Sequence, residues 1–333
     1  MSLLYIDENG AVVKTESNRI IIACHNGDTR SLPVETVEGV TLLGKAQLTT
    51  QFMELVLKKG IPVSFFSKSG KYFGRLVSTG AVKPELQRKQ SRLFEETFAL
   101  QLSKKIVFAK IKNQLVILRR YSKNNNIDIR DNEKTIITAS KKVEYAEDIP
   151  TLNGYEGMAA KAYFAGLAKC VDEDFIFKGR NRRPPKDPFN SMISLGYSIL
   201  MNELYCEIET KGLNPYFGFM HRDSEKHPTL ASDLMEEWRA VIVDSVVMSL
   251  INGHEIRKEQ FSIDDEELGC YISKEGLGIF ISKLDKKMKV TNKYLSYLDN
   301  AVSFRRAIGL QIGMLANAIY NEDADVYQPV IIR

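Results

Sequence analysis

The chain has 333 residues, of which 44% are hydrophobic and 26% charged, and its formal net charge is +4. This length suits two domains with a substantial core, and without an apolar run of about eighteen residues we expect no membrane span. The four cysteines form no Cys-x-x-Cys pair, and the first ten residues lack the basic start of a secretory signal. We therefore predict a cytoplasmic protein with free thiols and no zinc knuckle.

The positive charge is concentrated in the middle of the sequence. Residues 81–190 carry a net charge of +8, whereas residues 191–333 carry −6. A basic segment favours nucleic acid binding, because each phosphate that it neutralises releases counterions. Solvated helix faces would give the same counts, so the charge alone leaves both interpretations open.

The first eighty residues predict a small β domain with one helix. Short apolar and β-branched runs alternate with turn residues such as Asn26-Gly27-Asp28. The segment Gln47–Lys59 has apolar residues near one helical face and ends at Gly60. The predicted strands and extended runs are Leu3–Ile6, Ala11–Lys14, Arg19–Cys24, Thr29–Leu32, Val34–Leu43, Ile61–Phe66 and Lys71–Val77.

Beyond Pro84 the apolar residues recur at helical spacing. Glu85–Lys123 can form one long helix, in which basic residues such as Lys110 fall between the apolar positions. The basic segment Phe177–Pro188 is predicted to be a loop, because its prolines exclude regular helix. Further helices are predicted at about 131–145, 154–171, 188–211, 232–252, 274–288 and 292–320.

These patterns predict the fold class α+β and a division of the chain into three parts. Residues 1–80 form an N-terminal β domain, and residues 81–92 form a linker with the start of the long helix. Residues 93–333 form a larger all-α domain.

Two segments in the helical part could carry chemistry, although each also has a purely structural interpretation. Asn153-Gly-Tyr-Glu156 has the spacing of a capping box, in which Glu156 would only satisfy backbone donors at a helix start. His221 follows a turn, and a lone histidine there is more often packed than a ligand. His227 competes with it for any histidine role, but it lies among charged residues and is predicted to be exposed.

A third segment, Thr229–Arg239, carries Asp233 and Glu236 three residues apart. If Thr229 or Ser232 caps a helix here, both carboxylates lie on one face of its opening turns. Acidic residues in a first turn also interact favourably with the helix dipole, which is again a structural explanation.

In combination, Glu156, His221 and Glu236 could bind one divalent ion and leave positions open for a substrate. Carboxylate oxygens suit Mg²⁺ or Mn²⁺, and an imidazole nitrogen shifts the preference towards Mn²⁺. A metal ion at a phosphodiester can activate the attacking oxygen and stabilise the charge that develops on the phosphate. Their spacing in the sequence does not show that the three side chains meet in space.

At these residues the chain resembles the CRISPR-associated adaptation nuclease–integrase family (the Cas-one protein). The order, spacing and flanking residues of several motifs agree with the family, and the β-first, helix-second organisation extends the similarity over essentially the whole chain. The matching segments are Asn153–Gly157 leading to Tyr163-Phe164, Arg182–Asn190 with Leu195-Gly-Tyr197, Gly212–His221 and Asp233–Arg239.

The resemblance implies an N-terminal β-sandwich domain for dimerisation and partner contacts, followed by a helical catalytic domain. It assigns catalysis and coordination of Mg²⁺ or Mn²⁺ to Glu156, His221 and Glu236. It places Asp233 at an assisting acidic position and Arg239 one turn beyond Glu236.

The implied activity is the integration of short DNA fragments into a CRISPR array, as part of antiviral defence. A 3′-hydroxyl at the fragment end attacks a phosphodiester at the repeat boundary by direct transesterification, and water in its place gives nuclease activity. Members form homodimers that flank a dimer of the small Cas-two partner, and their substrate is double-stranded DNA.

Basic residues close to these motifs in the sequence are candidates for contacts to the DNA backbone. Such contacts would weaken with salt and carry little sequence information. Asn190 and Tyr197 belong to the family pattern, and helix packing explains them as well as substrate contact does. The four candidate basic residues are Arg180, Arg182, Arg183 and Lys186.

Two other functions remain open at this stage. In the first, the chain is a non-catalytic DNA-binding scaffold whose acidic residues only cap helices. In the second, it is a metal-dependent nuclease whose target is RNA or a DNA repair junction. Comparing strand transfer with simple cleavage on matched substrates would separate these from the integrase.

Overall fold

The structure, a computed structural model, describes residues 2–68, 71–78, 82–182, 184–264 and 269–332. The chain divides into two compact units, Met1–Val82 and Lys83–Arg333. Among the described residues, no helix is long and apolar enough to cross a membrane.

The N-terminal unit contains two four-stranded sheets and one helix. In the first sheet the strand order is β1-β5-β7-β8, with β8 antiparallel to β7 and the other neighbours parallel. In the second the order is β4-β3-β2-β6, with β6 parallel to β2 and the other neighbours antiparallel. The strands are β1 Ser2–Ile6, β2 Val12–Glu16, β3 Arg19–Ala23, β4 Thr29–Pro33, β5 Val37–Leu43, β6 Gln47–Leu48, β7 Val63–Phe66 and β8 Tyr72–Leu76, and the helix is α1 Thr50–Lys59.

The two sheets share one apolar core, which confirms the predicted sandwich-like domain. Val13 and Ile20 enter this core from one sheet, Val40 and Val63 from the other, and Phe52 from α1. Each of these side chains is at most 1% exposed. Successive side chains of a strand point to opposite faces of its sheet, so each sheet can present one apolar face to this core.

Two expectations for this unit were too coarse. The extended run predicted from Val34 begins with a 3-10 turn at Val34–Thr36, and β5 starts only after it. The predicted helix from Gln47 begins at Thr50, because the Thr49 side chain caps it by accepting a hydrogen bond from the Phe52 N–H.

The second unit is mainly helical and is built around one long helix, α3. Sixteen of its 29 residues are buried, and it packs against α4, α5 and α7. A helix that is buried on most of its circumference must lie inside the unit. The helices are α2 Pro84–Arg92, α3 Thr97–Asn125, α4 Arg130–Lys142, α5 Ile149–Ala168, α6 Pro188–Thr210, α7 Thr229–Arg239, α8 Ser245–Asn252, α9 Lys274–Lys289 and α10 Phe304–Asn321.

Short elements complete this unit. A π-helical turn, Ala240–Asp244, connects α7 to α8. Two antiparallel strand pairs precede and follow α9 in the sequence. They are β9 Phe261–Asp264 with β10 Gly269–Ile272, and β11 Thr291–Asn292 with β12 Val302–Ser303.

The prediction of one helix over Glu85–Lys123 was wrong. After α2 the chain makes a 3-10 turn at Leu93–Glu95, and Glu96 is extended with φ −103° and ψ 172°. Leu93 is fully buried at this break. Apolar periodicity continues on both sides of the break, so spacing alone does not reveal it.

The predicted helix over 292–320 was also wrong in its first third. Thr291–Asn292 pairs with Val302–Ser303 as a short antiparallel ladder. Helix α10 then begins at Phe304, because the Ser303 side chain accepts a hydrogen bond from the Arg306 N–H.

Candidate active site

Glu156 lies inside α5 and does not cap it, so the capping-box interpretation was wrong. The N-cap is Asp148, whose carboxylate accepts a hydrogen bond from the Thr151 N–H at 2.7 Å. Glu156 therefore sits two turns into the helix, with its side chain 22% exposed. The Glu156 carboxylate instead forms an ion pair with Lys110 of α3.

Asp233 of α7 is fully buried and binds the loop that precedes this helix. Its carboxylate accepts hydrogen bonds from the backbone N–H groups of Phe219 (2.6 Å), Met220 (3.0 Å) and His221 (3.0 Å). The proposed favourable interaction with the dipole of its own helix is thus not its main role. Asp233 instead fixes the position of His221.

The same carboxylate sets the protonation of the His221 ring. Nδ1 of His221 lies 2.6 Å from Asp233 Oδ1, and because a carboxylate oxygen accepts, Nδ1 carries a proton and donates a hydrogen bond to Asp233. The other nitrogen, Nε2, faces Glu236 Oε1 at 3.9 Å. A carboxylate that orients a histidine through one nitrogen and leaves the other available is the usual environment of a metal-binding histidine.

Charges around His221 also favour its protonated form. Burial lowers the pKa of the imidazole, but the hydrogen bond and the charge of Asp233, with the charge of Glu236, outweigh burial and raise it above its ordinary value. The side chain is 34% exposed, so it remains accessible from solvent.

The loop before α7 is held on its other side by Gln90 of α2, which is fully buried. The Gln90 amide donates hydrogen bonds to the carbonyl oxygens of Asn214 (2.8 Å) and Phe217 (2.7 Å) and accepts one from the Asn214 N–H. At Gly218 an added Cβ would lie 2.8 Å from Asp233 Oδ2. Glycine is therefore needed at this close approach. The role of Gln90 could not be predicted from the sequence.

Lys110 is the residue at the centre of the site that sequence reasoning missed. It is 3% exposed, although its place between apolar positions of a predicted helix was unremarkable in the sequence. Its ammonium forms ion pairs with Glu156 Oε1 and, at 2.6 Å, with Glu236 Oε2. A single cation thus links the carboxylate of α5 to that of α7.

Glu236 is surrounded by positive charge. Arg239, one turn further along α7, lies 2.5 Å from Glu236 Oε1, and Lys110 approaches the other oxygen. Burial raises the pKa of this carboxyl, but Arg239, Lys110 and His221 outweigh burial and hold the pKa below its ordinary value. Glu236 is therefore ionised although its side chain is only 4% exposed.

The three predicted ligands lie near one another, but they are too far apart in this arrangement to coordinate one metal ion together. No group of three or more His, Cys, Asp or Glu side chains within the described ranges is close enough to hold a metal ion. The Lys110 ammonium lies between the two carboxylates and contacts an oxygen of each. Glu236 Oε2 has this ion contact but no hydrogen bond of acceptable geometry, so one buried oxygen is incompletely satisfied. Two carboxylates and a free imidazole nitrogen are a donor set that fits Mg²⁺ or Mn²⁺.

A second buried carboxylate, Asp244, lies behind Arg239. It accepts hydrogen bonds from the hydroxyls of Tyr197 (2.7 Å) and Tyr163 (2.8 Å), and burial raises its pKa to about 6. The guanidinium of Arg239 lies 4.9 Å from the centre of the Tyr197 ring. Tyr197 thus helps to hold Arg239 in place. Asp244, which lies in the π-helical turn, was not predicted from the sequence.

The predicted DNA contacts occupy different environments. Arg180 is directed inwards, where its guanidinium donates hydrogen bonds to Asn190 Oδ1 (2.8 Å) and Ser194 Oγ (3.1 Å). Arg182 and Lys186 are exposed, and Arg183 lies outside the described residues. Their contact with DNA stays a prediction.

His227 was expected to be exposed, and this expectation was wrong. It is half-buried, and its Nε2 lies 3.0 Å from Ser232 Oγ. Its ring meets that of His221 edge to face, with 6.1 Å between the ring centres. His221 rather than His227 lies beside Glu236.

The chain is similar to known proteins over most of its length. Residues 4–286 match the sequence model of the family described as CRISPR associated protein Cas1. The chain belongs to the Cas1 family. A CRISPR-associated endonuclease Cas1 of Mycobacterium tuberculosis is 35% identical over 321 residues, which cover 96% of this chain and 94% of that protein.

Solved structures share the fold. A chain of a Cas6-RT-Cas1–Cas2 complex aligns with a TM-score of 0.82 and 26% identity over 98% of this chain, which spans only 36% of that longer chain. A casposase bound to an integration product aligns with a TM-score of 0.85 and 22% identity, over 100% of this chain and 96% of that one. The predicted α+β fold, with its β domain first, is confirmed.

Proposed function

We propose that this Cas1 family member is a metal-dependent DNA endonuclease and integrase of CRISPR adaptation. The observation that carries the proposal is the approach of Glu156, Glu236 and the free Nε2 of His221 to one another from three separate elements. Two carboxylates and a histidine that meet at one place, with one of the carboxylates buried, are a typical arrangement of a functional site. The endonuclease name of the Mycobacterium tuberculosis relative supports the nuclease part.

In this proposal Glu156, Glu236 and His221 hold one Mg²⁺ or Mn²⁺ ion. When bound, the ion would polarise the phosphodiester and lower the pKa of the attacking hydroxyl. Asp233 keeps a proton on Nδ1 of His221, so that Nε2 is the nitrogen that would coordinate the ion once it has lost its own proton. Arg239 holds one oxygen of Glu236 and so limits the directions in which this carboxylate can turn.

The proposed reaction is a transesterification. The 3′-oxygen of a DNA fragment forms a bond to phosphorus at the repeat boundary, and the bond from that phosphorus to the 3′-oxygen of the repeat breaks. The proton of the attacking hydroxyl passes through solvent to the departing oxygen, so the number of phosphodiester bonds is unchanged. With water as the attacking group the same site would cleave DNA, and neither reaction needs a covalent link to the protein.

The proposed partners are double-stranded DNA, a second copy of the chain and a dimer of a small Cas2-type protein. Two similar structures, a complex that contains Cas2 and a casposase bound to an integration product, support the Cas2 and DNA parts. For the DNA contacts, the exposed Arg182 and Lys186 are the best-placed of the predicted basic residues.

The scaffold alternative loses its main argument. It required the acidic residues to serve as helix caps, whereas Asp148 caps α5 and Glu156 caps nothing. No described feature of the site favours RNA or a repair junction over a DNA repeat. The test below therefore distinguishes these substrates.

The test combines the purified chain, with and without its small partner, with a short 3′-hydroxyl duplex and a repeat-bearing plasmid. We expect joining that requires Mg²⁺ or Mn²⁺, is blocked by a chelator, and is lost in Glu156→Ala and His221→Ala. Glu147→Ala removes an exposed carboxylate just before α5 and should join normally. DNA binding without joining under all conditions would contradict the integrase and favour the scaffold, whereas cleavage of RNA or branched DNA alone would favour the nuclease alternative.

A further inference from the structure

Lys110 is held in a position that a surface lysine would not occupy. Its side chain extends from α3 into the space between α5 and α7, where it is 3% exposed. Burying an ammonium group is unfavourable unless opposite charges compensate for the lost water. The carboxylates of Glu156 and Glu236 provide that compensation, one on each side.

This arrangement gives the site a cation that belongs to the chain itself. The two carboxylates carry two negative charges, and the Lys110 and Arg239 side chains carry two positive ones. Of the two carboxylates, Arg239 contacts that of Glu236, through Oε1. Lys110 contacts both, and so it links the carboxylate of α5 to that of α7.

A divalent ion held through the Glu156 and Glu236 oxygens that now face Lys110 would compete with the ammonium for them. Two cations cannot share such a position, because their repulsion is strong at short distance in a buried environment. Lysine suits an exchangeable role, since it is a compact charge at the end of a flexible four-carbon stem, whereas the fork of an arginine would stay bound in a fixed geometry.

We propose that Lys110 is a built-in counterion, which holds the two carboxylates in place before metal binding and is displaced when the divalent ion enters. The inference rests on the metal site of the proposed function. It adds that the affinity of the site for metal is set by competition with a residue of the chain. Metal binding and the release of Lys110 are then one event.

The experiment measures Mn²⁺ binding by electron paramagnetic resonance at pH 8. Lys110→Met removes the competing charge and keeps an unbranched apolar stem, and we expect its Mn²⁺ dissociation constant to be at least about tenfold lower than that of the wild type. Lys110→Gln is the second variant, for use if the methionine variant does not fold. Both should also show a larger rise in melting temperature on addition of Mn²⁺.

Lys112→Met is the matched control, because it removes one positive charge from the same helix. The Lys112 ammonium lies 5.2 Å from the centre of the Phe108 ring and outside the candidate site. We expect this variant to bind Mn²⁺ as the wild type does, which would separate displacement of Lys110 from a general change in charge.

Two negative outcomes are distinguishable. If Glu236→Gln weakens Mn²⁺ binding but the Lys110 variants bind with wild-type or lower affinity, the metal site stands and the counterion proposal is overturned. If Glu236→Gln binds Mn²⁺ as tightly as the wild type, the proposed metal site itself fails, and the counterion proposal fails with it.

Discussion

The two units of the chain bury different kinds of side chain. In the described part of the N-terminal unit the buried polar residues are Thr41 and Ser64, and the rest of the core is apolar. The helical unit buries several ionisable groups, including Lys110, Asp233 and Glu236. Apolar cores need no partners, but each buried charge requires compensation. Buried charge therefore locates the candidate site in the helical unit.

Burial of charge does not by itself identify a catalytic residue, as the neighbours Glu236 and Glu237 show. The Glu237 carboxyl is bound to Tyr327 (2.7 Å) and the Val330 N–H (3.0 Å) and lies in an apolar environment that raises its pKa to about 8. Glu236 instead faces Lys110 and Arg239 and stays ionised. A protonated carboxyl that anchors the chain near its end is structural, whereas an ionised one beside a histidine can bind metal.

The largest expected effect separates these two adjacent residues. Glu236→Gln should reduce joining about a thousandfold, because metal stabilisation of a phosphodiester transition state is worth several kcal/mol. Glu237→Gln should leave joining near the wild-type rate, since its carboxyl is bound to Tyr327 and Val330 and not to the candidate site. The strand-transfer assay measures the joining rate of both variants. Equal losses of rate would contradict the functional difference between Glu236 and Glu237.

Asp233→Asn should weaken Mn²⁺ binding about 10- to 100-fold, the usual effect of removing the residue that orients a metal-binding histidine. The asparagine keeps the shape of the side chain but not the charge that holds the Nδ1 proton of His221. Isothermal titration calorimetry with Mn²⁺ provides the value. Unchanged affinity would mean that Asp233 only fixes the loop.

The pH dependence of stability should differ between the wild type and Glu237→Gln. Because folding raises the pKa of Glu237 to about 8, its contribution is full below its ordinary pKa and is lost as the pH rises through about 8. Denaturant unfolding should show the wild type losing up to about 1.4 kcal/mol per pH unit relative to the variant across this range. A constant difference from pH 5 to 9 would contradict burial of a protonated carboxyl.

The smallest expected effect concerns Asp148, the acidic residue that does cap α5. Asp148→Ala should lower the free energy of unfolding by about 1 kcal/mol, as loss of an N-cap usually does. Its Mn²⁺ affinity should equal that of the wild type, whereas Glu156→Ala should lose Mn²⁺ binding. Weaker metal binding by Asp148→Ala would mean that the start of α5 is part of the site.

Much of the fold was predictable because it follows from local patterns. The short alternating runs before residue 80 and the helix at Pro188–Thr210 came out close to their observed bounds. The break at Glu96 was not predicted, because the apolar periodicity continues on both sides of it. The strand at Thr291–Asn292 was not predicted either, because it depends on pairing with Val302–Ser303.

The site was predictable only in part. Glu156, His221 and Glu236 could be proposed from their residue types and from the family resemblance, but the spacing at Glu156 also suggested a cap. Lys110 could not be identified, since a lysine between apolar positions of a helix is usually solvated. Its burial results from the packing of α3 against α5 and α7, which no local pattern encodes.

The most direct test of the central claim is a crystal structure of the chain soaked with Mn²⁺, examined for anomalous scattering. The account predicts one Mn²⁺ peak within coordination distance of Glu156, Glu236 and Nε2 of His221, with the Lys110 ammonium moved out of the space between the carboxylates. A fully soaked crystal with no peak there, or with the ion bound elsewhere while Lys110 still bridges Glu156 and Glu236, would contradict it.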